Sequence, residues 1–222
     1  MKTNMKTKCL LFASSLLLAT AVESSAGIIL NFDSVNASGG PVNPTAYLAG
    51  YGITVTNDNH PGSLQILSDQ NYYGGGVVAA SSPHNFLLQN TIGSPNGTTY
   101  TLNFSTALTD LSFTRIAQTT PNLVAQWTAT AYAGATVVGS VSENTFGGTE
   151  PAHTYSIADG NFLTDGGITS LTITANGQGT AGIPSAPIDD LTLNAVPEPG
   201  TALFGFACVG VAALRRRRRS AV

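Results

Sequence analysis

Apolar and polar residues alternate with a period of two over several short stretches of this chain. Tyr100, Leu102 and Phe104 fall on one face of the stretch 99–104. Leu111 and Phe113 share a face in 108–116, and Leu171 and Ile173 oppose Thr172 and Thr174 in 168–175. Period two is the repeat of a half-buried β-strand. Further strand candidates run over 28–32, 51–56, 64–68, 77–80, 86–89, 123–133, 136–142 and 188–194. Gly, Pro, Asn and Asp punctuate the gaps, as in Asn57-Asp58-Asn59-His60-Pro61-Gly62 and Asp165-Gly166-Gly167, which is turn chemistry. Sustained helical periodicity is confined to the two ends. About ten short strands in one domain predict an all-β fold, a single antiparallel β-sandwich of jelly-roll type, over 27–195.

The ends read differently. Lys2, Lys6 and Lys8 precede an apolar run over 9–22, followed by Ser24-Ser25-Ala26. A basic region, a hydrophobic region and a small-x-small site in that order predict a secretory signal peptide over 1–26, cut by signal peptidase after Ala26. At the other end, Val196-Pro197-Glu198-Pro199-Gly200 leads into an apolar run over 201–214 and then five arginines, 215–219. As a helix, that run is about 21 Å long at 1.5 Å per residue, short of a bilayer core of about 30 Å. Snorkelling arginines extend its reach and hold that end in the cytoplasm. The body then lies on the outer side of the inner membrane, in agreement with the signal peptide. The two prolines fix φ and remove amide donors, which keeps the Pro-Glu-Pro peptide out of the helix and accessible.

Pro197-Glu198-Pro199, a short apolar helix and a terminal arginine cluster together resemble the PEP-CTERM sorting tail, here 196–222. The resemblance implies a Gram-negative bacterium that makes exopolysaccharide, and an exosortase that recognises the tail and releases or transfers the protein to the cell surface or the extracellular matrix. A second resemblance lies in the body. The early Asn31-Phe32-Asp33 and the closing Ile188-Asp189-Asp190-Leu191-Thr192-Leu193 are similar to galactose-binding-type jelly rolls. In those folds the first and last strands lie together and often hold a structural calcium, which here implies Asp33, Asp189 and Asp190 as its ligands.

Charge sharpens this picture. Between Gly27 and Val196 there is one cation, Arg115, against ten acids, a net charge of about −9. Such a body has nothing to neutralise phosphates and excludes nucleic acid as a partner. The two cysteines, Cys9 and Cys208, lie in the end segments, so the body has neither a disulfide framework nor thiol chemistry.

Candidate chemistry is sparse. No Cys-x-x-Cys or His-x-x-x-His spacing, nucleophile elbow or phosphate loop occurs. His60, His84 and His153 are isolated. Glu143 and Glu150, the only glutamates of the body, are the one pair open to glycoside hydrolysis, but both fall in a Gly/Thr-rich stretch read as a loop. Asp159 and Asp165 fail the EF-hand pattern and read as Asx turns. Trp127 shares a face with Leu123, Ala125, Ala129 and Ala131 and reads as core. Tyr72 and Tyr73, beside Gly74-Gly75-Gly76, are the candidates for stacking on a sugar. Arg115 shares parity with Leu111 and Phe113 and points inward, where a guanidinium needs a carboxylate. Asp189 shares parity with Leu191 and Leu193 and needs a cation, either calcium or Arg115. The expected function is that of an exported, non-enzymatic surface or matrix protein associated with exopolysaccharide. The rivals are a carbohydrate-binding module and a secreted hydrolase.

Overall fold

The structure, a computed structural model, describes residues 27–70, 78–91, 97–118, 126–144, 149–175 and 186–196. Residues Gly27–Val196 form one compact unit. Its strands are β1 (Ile28–Leu30), β2 (Ile53–Thr56), β3 (Leu64–Ser68), β4 (Val78–Ala79), β5 (Asn85–Gln89), β6 (Thr98–Arg115), β7 (Ala117–Gln118), β8 (Trp127–Ala133), β9 (Thr136–Glu143), β10 (His153–Ala158), β11 (Ile168–Ala175) and β12 (Ile188–Ala195), with short helices α1 (Thr45–Ala49) and α2 (Phe162–Asp165). The pairings among them are antiparallel, and the fold is a jelly-roll-like sandwich as the alternation predicts.

The long strand β6 organises the sheet. Its first half pairs with β2 and β11 (Val55↔Leu102, Leu171↔Leu102), and β8 and β9 follow β11 outward. Its second half pairs with β12 and β10 (Leu193↔Leu111, Ile157↔Leu111), and β12 continues to β5 and β3. The stretches 99–104 and 108–116, read separately in sequence, are thus one strand that changes partners. The intervening Ser105-Thr106-Ala107 holds no Gly, Pro or Asn, so nothing there ends a strand.

The inward positions of both halves build one core. Tyr100, Leu102, Leu111, Phe113, Trp127, Leu171, Ile173, Leu191 and Leu193 are at most 4% exposed, and each large apolar side chain so buried contributes about 1.5–3 kcal/mol. Trp127 lies among Ala129, Ala131 and Phe113, with Phe113 at 5.9 Å between ring centroids, while Leu123 and Ala125 lie outside the described residues. Gly139 faces Ala131 across β8–β9, and a Cβ there would stand 2.5 Å from Ile157 Cγ2. A glycine therefore lets β10 close over β9.

Strand β10 departs from the sequence reading, which left 153–158 unassigned. Only Tyr155 and Ile157 alternate inward in it, and its remaining positions are exposed. Two apolar positions beside a proline do not announce a strand, but pairing along six residues of β6 supplies the backbone partners. Among the described residues no helix is long and apolar enough to cross a membrane. The signal peptide, the apolar tail and Pro197-Glu198-Pro199 lie outside the described residues.

Candidate functional site

Two polar clusters stand out. The first closes around Glu143, the last residue of β9. Arg115 Nε donates to Glu143 Oε2 at 2.8 Å and Arg115 Nη2 to Oε1 at 3.0 Å. Trp127 Nε1 donates to Oε2 at 3.0 Å, and the Tyr155 hydroxyl donates to Oε1. Arg115 Nη1 donates to the carbonyls of Ile116 and Pro151, both at 2.9 Å. The side chains of Arg115 and Glu143 are 2% and 9% exposed. Trp127 and Tyr155 meet edge to face at 5.2 Å. Burial, and then the Glu143 carboxylate, push the Tyr155 phenol well above its ordinary pKa, so it stays a donor. The Gly/Thr-rich composition around Glu143 predicts a loop. Instead it ends a strand whose register sets it against Trp127, and it supplies the carboxylate that the inward Arg115 requires.

Every oxygen of this carboxylate is held by a charged or strong donor. Its two oxygens take four hydrogen bonds from Arg115, Trp127 and Tyr155. Glu150, the other half of the notional acid/base pair, bridges Gln118 through backbone bonds at 2.8 and 2.9 Å.

The second cluster sits where the first and last strands meet. β1 pairs with β12, with Ile28 opposite Leu193 and Leu30 opposite Leu191. Asp189 of β12 is fully buried. Its Oδ2 accepts the backbone N–H groups of Ser81 at 3.1 Å and Ser82 at 2.9 Å, and both serine hydroxyls at 2.9 Å. Its Oδ1 accepts the N–H of Asp190 at 2.8 Å. Burial is the largest influence on this carboxyl and raises its pKa, while the bonds from Ser82 and Asp190 oppose that rise. Ser81 Oγ also reaches Asp190 Oδ2 at 2.8 Å. The need of Asp189 for a cation is therefore met by hydrogen-bond donors of the 81–82 turn, and Arg115 is engaged elsewhere. No local signal in the sequence marks Ser81 and Ser82 for this role, because they lie more than a hundred residues from Asp189.

Asp33 is different. Both of its carboxylate oxygens are buried and have no hydrogen-bond partner. A buried carboxylate left so is costly, and a hard cation with carbonyl oxygens around it is one remedy. Asp33 therefore fits a calcium ligand, whereas Asp189 is already occupied by donors. Among the described residues no group of three His, Cys, Asp or Glu side chains converges, so the remaining ligands of such an ion would be backbone, amide or hydroxyl oxygens. The joint is also strained. Phe32 (φ 60°), His84 (φ 103°) and Asp190 (φ 47°) all take left-handed backbone, which L-residues rarely adopt and which costs on the order of 1–3 kcal/mol each. Asn85 Nδ2 ties the Phe32 and Val35 carbonyls at 3.1 and 2.7 Å, and His84 Nδ1 lies 3.1 Å from Asp69 Oδ1.

The remaining sequence candidates divide. Asp159 Oδ1 accepts the N–H of Asn161 at 2.8 Å, and Asp165 Oδ1 that of Gly167 at 3.2 Å, so both make Asx turns. Tyr72 and Tyr73 lie outside the described residues. An aromatic pair that the sequence reading passed over is Tyr47 of α1 with the exposed Tyr51, 5.2 Å apart.

No protein-family model matches the chain, and no curated protein matches it. Solved structures of similar architecture include the K2 cleaved adhesin domain of Lys-gingipain, at TM-score 0.49 and 12% identity over 76% of this chain and 99% of that one. Another is TmCBM61 in complex with beta-1,4-galactotriose, at TM-score 0.41 and 12% identity over 70% and 97%. A third is the Stig cyclase Fisc from Fischerella sp. TAU, at TM-score 0.46 and 13% identity over 78% and 99%. Each TM-score is below 0.5, and the fold assignment rests on the strand order and register given above.

Proposed function

We propose that this is an exported, non-enzymatic surface or matrix protein, sorted through the PEP-CTERM-like tail at 196–222 and associated with extracellular polysaccharide. The observation that carries the reading is the pairing of β1 with β12. It brings the residue after the expected signal-peptidase site, Gly27, beside the strand that runs into Pro197-Glu198-Pro199. Both ends of the body leave it at one edge. The non-enzymatic part is supported by Glu143, whose carboxylate is spent on Arg115, Trp127 and Tyr155. Signal peptidase and an exosortase are the partners this reading requires, and the inner membrane is a transient station.

A structural calcium held by Asp33 is proposed alongside it. It would stiffen the strained joint between the first and last strands without taking part in any reaction.

Deleting residues 196–222 tests the sorting claim in the native host. The truncated protein should be exported yet absent from the cell surface by surface labelling. Unchanged surface display would overturn the reading.

A further inference from the structure

The first half of β6, with β2, β11, β8 and β9, forms a five-stranded sheet whose outward positions are mostly small hydroxyl residues, joined at one end by Asn103, Tyr132 and the exposed Val137. One row crosses all five strands in register: Thr56, Thr101, Thr172, Thr130 and Ser140. The next row is Thr99, Thr174, Thr128 and Ser142. Neighbours are linked laterally, Thr101 with Thr172 at 2.9 Å, Thr130 with Ser140 at 3.3 Å and Thr99 with Thr174 at 3.5 Å. Asn103 Nδ2 joins Thr56 Oγ1 at 2.8 Å. These five strand segments contain one charged residue, Glu143, and it faces inward onto Arg115. The acids of this strongly acidic body lie elsewhere, in loops, at strand ends and on β12 and the second half of β6.

We infer that this face is a binding surface for a neutral, flexible polysaccharide chain; the inference rests on the proposed association with exopolysaccharide and names the surface that makes it. A face without charge has no electrostatic match for a cationic or anionic polymer, and the net charge of about −9 on the body repels an anionic one. Thr101 is buried, its hydroxyl shared with Thr172 and Asn57; the other hydroxyls of the rows are each donor and acceptor, so a lateral bond leaves them able to bond a sugar hydroxyl, while the threonine methyls offer apolar contact to sugar C–H groups. Rows lie about 6.8 Å apart along the strands, two residues at about 3.4 Å, and columns about 4.8 Å apart across them. Geometry then separates a chain from a crystal. Four steps between five strands, each twisting by about 20–25°, turn the array through about 80–100°. A rigid planar lattice, whether crystalline polysaccharide or ice, would match two or three strands only. A flexible chain follows the twist and collects many weak contacts, a multivalent mode.

The test is affinity electrophoresis of the exported protein as recovered from cells, in gels holding dextran, laminarin or alginate. Retardation is expected with at least one neutral glucan and not with alginate. The double variant Thr130→Glu, Thr172→Glu should bind about tenfold more weakly, since a desolvated, unpaired carboxylate costs at least that factor. Ser156→Glu, on the exposed side of β10, should bind as the wild type does, and near-wild-type melting of all variants reports that the fold is kept. Equal binding by the double variant, equal retention by alginate, retention by no glucan, or adsorption to ice without glucan binding would each overturn the assignment. Surface sorting is read separately by cell fractionation, so failure of the export reading is distinguishable from failure of this one.

Discussion

Arg115, the single cation of the body, meets Glu143 in a two-pronged ion pair that Trp127 and Tyr155 complete. Removing one partner of a buried pair strands the other. Glu143→Ala should therefore lower stability by about 3–5 kcal/mol. Chemical denaturation measures it, and a loss under about 1 kcal/mol would mean that the guanidinium is satisfied by the Ile116 and Pro151 carbonyls alone.

Asp189 gives the stability a pH dependence opposite to that of an ordinary paired carboxylate. Burial raises its folded pKa above the usual 3.8, so between 3.8 and the raised value the folded state holds more protons than the unfolded one. Stability then falls as pH rises through that window. The advantage of wild type over Asp189→Asn should be largest at or below pH 3.8 and shrink above it. Denaturation midpoints across acidic pH check this, and an advantage that grows with pH would reverse the sign of the argument.

Tyr47 acts at the alkaline end. Burial first, and then its hydrogen bond with Tyr51, push its phenol from 10.0 up to about 12. The unfolded chain releases this proton first, so stability is lost as pH rises from 10 toward 12. Tyr47→Phe should flatten that decline. A slope identical to wild type would place the alkaline sensitivity elsewhere.

Calcium at Asp33 has a thermal signature. An ion that binds only the folded state at a hundred times its Kd adds about 2.7 kcal/mol. For a domain of this size that raises Tm by about 5–10 °C. Melts with calcium and with chelator should differ by this amount in wild type and coincide in Asp33→Asn. Coincident melts in wild type would remove calcium from the account.

The sheet was legible because period-two alternation survives wherever one face is buried, as with Leu171 and Ile173 against Thr172 and Thr174. The core place of Trp127 followed from its alanine neighbours. What escaped was set at long range. β10 depends on pairing with β6 rather than on its own composition. Glu143 looked like a loop residue until the β8–β9 register put it beside Trp127. Ser81 and Ser82 became ligands of Asp189 only through the closing of the last strand. The Thr/Ser rows were visible as alternation, but their alignment across five strands is a property of register, which no single strand specifies.

Export and sorting leave their mark on both ends of the chain, and the intact mass of protein recovered from the cell surface or medium reads both at once. The expected mature chain begins at Gly27 and ends near Pro197-Glu198-Pro199, without the arginine cluster. A mature protein that still carries residues 215–219 would contradict it.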